Sequence, residues 1–93
     1  MPLSFEGDAR KAKSNLAKHG VSFEEASTVF GDSWSLTIPD PAHSQVEERA
    51  IVLGQSHQRK LLVVVHTERS DNIRIISARP ASRHERKTYE ETN

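Results

Sequence analysis

Cysteine is missing altogether, which excludes a disulfide framework and any thiolate metal site and leaves no argument for an oxidising compartment. No apolar run is long enough to span a bilayer, and the N-terminus lacks a signal-peptide core, so a cytoplasmic location without membrane contact is the expectation. An excess of one charge is absent too: 13 Lys and Arg balance 13 Asp and Glu across 93 residues. Proteins that hold nucleic acid mainly through its phosphates are usually basic, so tight sequence-independent binding of a long nucleic acid is not expected. Chemistry at one phosphodiester escapes this objection, because it needs a local cluster of cations rather than a net excess. Repeats and low-complexity segments are missing as well. The length fits one small domain over residues 1–93. With 34% hydrophobic and 28% charged residues, the core is lean, and so marginal a fold favours a partner subunit.

What is present is clearest between Leu61 and Tyr89. An apolar strand, Leu61 to Val65, is covered on both faces at least in part, and Asn72 to Arg79 is its antiparallel neighbour across Ser70-Asp71. A three-residue loop sets Glu68 opposite Arg74; a two-residue loop moves Arg74 to the other face relative to Glu68. Charge pairing favours the first. Upstream, Leu3 to Phe5 reads as a short edge strand, and Asp8 as the N-cap of a helix that Gly20 closes after His19, with a thin apolar stripe of Ala12 and Leu16. Ser22-Phe23-Glu24-Glu25 is a capping box that opens a second helix, with Phe23, Ala26 and Phe30 on one face. Trp34 to Ile38 alternates as a half-buried strand, Arg49 to Gly54 supplies another, and Ser82-Arg83-His84-Glu85 caps a last helix. The predicted fold is α+β: an antiparallel sheet of about four strands, an N-terminal helical hairpin on one face and a C-terminal helix, the helices gathered on one side.

Cleaving RNA requires a general base for the 2′-hydroxyl, cations for the charged phosphorane oxygens and a general acid for the departing 5′-oxygen. Glu47, Glu48, Glu85, His43, His66 and His84 are candidate proton carriers, and Tyr89 can stack or donate. Arg49, Arg69, Arg74, Arg79 and Arg86 are candidate phosphate ligands, since guanidinium pairs bidentately and keeps its charge. Plainer readings stand beside these. Arg74 pairs with Glu68 across a hairpin, Glu25 and Glu85 serve as caps, and His43 is a loop histidine. Arg79 is harder to dismiss, because a cation at the end of an apolar strand needs a partner. No two histidines have metal spacing, so neither a metal site nor another cofactor is expected.

The string from Asn15 to Ala26, then Val29-Phe30 and Asp32, His43-Ser44, Glu48-Arg49, Gly54, Arg74 to Arg79, Glu85-Arg86 and Tyr89 resembles the BrnT family of toxins from bacterial type II toxin–antitoxin modules. The resemblance spans nearly the whole chain. It implies a RelE-like fold, endoribonuclease activity that inhibits translation, and neutralisation by a BrnA-like antitoxin with a ribbon-helix-helix domain. Operator DNA would be contacted only through that antitoxin, and a toxin homodimer within the complex is a further implication. Carried onto this chain, the family's motif positions are His43, Glu48, Arg49, Arg79, Arg86 and Tyr89, with Arg69 and Arg74 as substrate-binding candidates. The family commonly opens Phe-Glu-Trp-Asp, whereas here the run is Phe5-Glu6-Gly7-Asp8, which removes buried aromatic area where the first helix begins.

A non-catalytic module that binds only an antitoxin is the competing reading, and the neutral net charge favours it. A direct DNA-binding regulator fits least, since no helix clusters the Lys, Arg and Asn that major-groove reading requires.

Overall fold

The computed structural model describes residues 3–40 and 49–92. In order they form β1 (Ser4–Gly7), α1 (Ala9–His19), α2 (Phe23–Ser27) running into a 3-10 turn (Thr28–Gly31), β2 (Leu36–Pro39), β3 (Arg49–Gln55), β4 (Leu61–Arg69), β5 (Asn72–Pro80) and α3 (Arg83–Thr92). The sheet has five strands in the order β1-β5-β4-β3-β2. Its pairs are antiparallel except β1 with β5, which run parallel. The expected four-stranded antiparallel sheet is thus corrected to a mixed five-stranded one. Antiparallel pairs can be joined by short turns, but β1 reaches β5 only after the whole chain between them has been laid down.

The local signals for the helices hold. The Asp8 carboxylate accepts from the amides of Arg10 and Lys11 at 2.8 and 3.1 Å, and Gly20 closes α1 at φ 70°, where a side chain would be strained. Ser22 Oγ accepts from the Glu25 amide at 3.0 Å. Glu25 does not complete the box with its own side chain; its buried carboxylate accepts from Ser56 Oγ at 2.8 Å. The apolar stripe expected on α1 is not what docks it, for Leu16 is 52% exposed. Asn15 does that work instead, donating to the Val21 carbonyl at 2.9 Å and accepting from the Ala78 amide at 3.0 Å.

Side chains alternate across the sheet. Val52, Leu62, Val64, Ile73, Ile75 and Ala78 point to one face, where Val21, Ala26 and Val29 from the helical segment complete a buried core. Each fully buried aliphatic contributes about 1.5–3 kcal/mol. Phe23 packs so closely over Gly7 that a Cβ there would lie 2.7 Å from Phe23 Cδ2, so the Phe23 ring takes space that an aromatic at position 7 would need. His66 points to the same face, fully buried edge-on against Phe30 at 4.8 Å. Burial lowers its pKa, more than the Val64 backbone and the Glu68 carboxylate, 3.5 Å away, raise it.

Two further expectations are corrected. The β4–β5 hairpin closes with a two-residue turn, Ser70 adopting φ 54°, so Arg69 pairs with Asn72, Glu68 with Ile73, and Thr67 with Arg74. Glu68 therefore does not oppose Arg74. A register irregularity between Val65 and His66 leaves Ile76 of β5 without a cross-strand partner, so Ile73 and Ile75 on one side of it and Ala78 on the other all face the core. The helices are also not gathered on one side: Glu85 and Thr88 of α3 lie against Leu53 and Val63, which alternate away from Val52 and Val64.

Candidate functional site

The face opposite α1 and α2 is built in three rows. Nearest the β4–β5 turn, Arg49, Thr67 and Arg74 are direct cross-strand neighbours on β3, β4 and β5. The middle row is Ile51, Val65 and Ser77, and the far row is Leu53, Val63 and Arg79, which Leu36 extends onto β2. Arg69 follows Thr67 by two residues on the same face. Because strands rise about 3.3–3.4 Å per residue, the first and last rows lie about 13 Å apart. The face thus has a cationic end, an apolar middle and a second end that α3 crosses.

At the β5 side, Arg79 forms a bidentate pair with Glu85, Nη1 to Oε1 and Nη2 to Oε2 both at 2.8 Å. Glu85 Oε1 also accepts from the Ser82 amide at 2.8 Å, while Ser82 Oγ accepts from the Glu85 amide at 3.2 Å, a complete capping box. The Arg79 guanidinium holds the Glu85 carboxyl at about 2, against the opposing effect of burial. In return Glu85 raises the Arg79 pKa. At the β2 side, the Tyr89 hydroxyl donates to Asp32 Oδ2 at 2.6 Å. That carboxylate also accepts from the amides of Gln55 at 2.9 Å and Trp34 at 3.0 Å. Burial pushes Asp32 upward, but Tyr89 and the two amides outweigh it and hold its pKa below the ordinary value. Burial and the adjacent Asp32 push the Tyr89 hydroxyl up to about 12.

α3 is therefore pinned at both ends by side-chain links and buries no residue of its own. Beneath it lies an apolar cavity of about 190 Å³ lined by Leu36, Ile38, Ile51, Leu53, Val63, Glu85 and Thr88.

The residues singled out from sequence divide accordingly. Arg49, Arg69 and Arg74 share the cationic end; Arg79 and Tyr89 sit at the α3 end, each tied to a carboxylate. Arg86 is exposed on α3 beside Glu85. His43 and Glu48 lie outside the described residues. Of the remaining proton-carrier candidates, Glu47 also lies outside them, His66 is buried on the core face, and His84 is exposed. Asp32 and Thr67 were not foreseen as parts of the site. The local bond that Asp32 accepts from the Trp34 amide marks only a turn, and its partner Tyr89 is 57 residues away; Thr67 is one more hydroxyl in a strand until the register sets it between two arginines.

Arg79 keeps 44% of its side chain exposed, but its pair with Glu85 is neutral overall. In the Arg49–Thr67–Arg74 row two guanidinium-bearing residues flank a hydroxyl on adjacent strands, so a phosphate seated there can be met from both sides.

The sequence model of a family described as "Ribonuclease toxin, BrnT, of type II toxin-antitoxin system" matches residues 8–85. No curated protein matches. Among solved structures, the 1.1 Å crystal structure of the Brucella abortus ribonuclease toxin BrnT superposes with a TM-score of 0.68 at 21% identity, covering 87% of this chain and 99% of that one. At that identity the likeness speaks for the fold.

Proposed function

This chain belongs to the BrnT family of ribonuclease toxins of type II toxin–antitoxin systems, and from that membership we propose that it is a metal-independent endoribonuclease that inhibits translation in the cytoplasm until a BrnA-like ribbon-helix-helix antitoxin neutralises it. The observation that carries the reading is the alignment of Arg49, Thr67 and Arg74 on the sheet face opposite α1 and α2, with Arg69 beside them. A phosphodiester laid across this row meets permanent cations on both sides, which is where charge develops in the transition state. Glu48, the chain neighbour of Arg49, and His43 are the proton carriers in this reading. Arg86 contributes a further cation from α3. Arg79 and Tyr89 act by holding α3: a hydroxyl at about 12 whose only proton is given to Asp32 is a poor general acid near neutral pH. Operator DNA is reached only through the antitoxin, and a toxin homodimer fits within that complex.

One observation favours the second reading, a partner-binding module without catalysis. The pairing of Arg79 with Glu85 and of Tyr89 with Asp32 commits two of the motif residues to structure.

Expression of the chain alone separates the two. Growth arrest with RNA cleavage that persists in EDTA is expected, and Arg74→Ala should slow cleavage by about 10²-fold with an unchanged melting temperature. A folded wild type that neither arrests growth nor cuts RNA leaves the binding module as the answer.

A further inference from the structure

Thr67 is 2% exposed, and its Oγ1 has no hydrogen-bond partner among the described residues. A buried hydroxyl without a partner is costly, and evolution readily removes such a group, because valine has the same shape. Its setting gives it a use. Arg49 and Arg74 are its direct neighbours on either side, and both are only partly buried on long, flexible stems. When those guanidiniums close on a phosphate from two sides, the hydroxyl between them is the donor placed for a third oxygen.

We propose that Thr67 is a substrate-binding residue, its hydroxyl donating to a non-bridging oxygen of an RNA phosphate held between Arg49 and Arg74. The proposal rests on the ribonuclease reading and adds to it the atom that fixes the phosphate's position. A hydroxyl is neutral, so it cannot repel or pull the phosphate at long range; it acts at contact distance and selects one seat from those the two cations would allow. It also follows that the group is kept at the expense of stability, as functional sites commonly are.

The test compares wild type, Thr67→Val and Thr67→Ser in three measurements: melting temperature, steady-state cleavage of a short RNA, and titration with inorganic phosphate followed by NMR. Thr67→Val should melt at the wild-type temperature or above it, raise KM for RNA at least about tenfold, the loss of a hydrogen bond to a charged group, leave kcat within about threefold, and weaken phosphate binding in proportion. Thr67→Ser, which keeps the hydroxyl, should restore KM to within about threefold. A Thr67→Val protein with unchanged KM and phosphate affinity overturns the assignment while leaving the ribonuclease reading intact. A lower melting temperature that serine restores also overturns it, since the hydroxyl then serves the fold. If wild type cuts no RNA, the ribonuclease reading fails by itself, and the phosphate titration alone decides whether Thr67 holds an anion.

Discussion

Single side chains in this protein carry roles that residue type alone does not announce. Glu85 caps its own helix and clamps Arg79 at once, and its titration exposes that double duty. A carboxyl held at about 2 in the folded chain, against an ordinary 4.5, contributes stability that is fully present above pH 4.5 and lost as pH falls towards 2. The melting temperature of wild type should therefore drop more steeply across that window than that of Glu85→Gln. Tyr89 works in the opposite sense: raised from 10 to about 12, it contributes below pH 10 and loses that contribution as pH climbs through 12, so Tyr89→Phe should flatten the alkaline limb. Failure of either limb to flatten would show that the corresponding link does not form in solution.

Among the elements, the helices were the most legible in sequence, because their signals are local. Asp8, Gly20, Ser22 and Ser82 mark their helix ends through hydrogen bonds spanning only a few residues. The strands were legible as strands, but their partners were not. Opposite charges on Glu68 and Arg74 argued for a register that the two-residue turn overrode, since fixing Ile73 and Ile75 in the core outweighs one exposed ion pair. α3 could be placed along the chain but not on a face, because its ten residues bury nothing. A helix this short is marginal in water by itself, so its persistence depends on the Arg79–Glu85 and Asp32–Tyr89 links. Hydrogen exchange should report this directly: in Arg79→Ala or Tyr89→Phe, amides of α3 should lose most of their protection while those of β4 keep theirs. Equal loss in both elements would mean that α3 belongs to the cooperative core.

For the whole molecule, an electrically balanced total hides an uneven distribution. The cationic row was invisible in composition, as 13 charges of each sign cancel; only the register of β3, β4 and β5 collects Arg49, Arg69 and Arg74 on one face. The small size of that cluster sets how RNA binding should respond to salt. Three phosphate contacts on a single strand give a slope of about −2 in log K against log salt, far shallower than a basic nucleic-acid-binding domain shows. A slope beyond about −5 would require many more cations than this face presents.

The parallel pairing of β1 with β5 also bears on how such a molecule is made. Ser4 meets Asn72, 68 residues downstream, and at 5–20 residues per second the nascent segment waits about 3–14 s for its mate to be synthesised. Until then β5 is missing from between β1 and β4, and Arg74 itself has not yet been translated. The cationic row is therefore incomplete in a growing copy, and a type II antitoxin made alongside has those seconds to arrive before Arg74 joins Arg49 on the sheet.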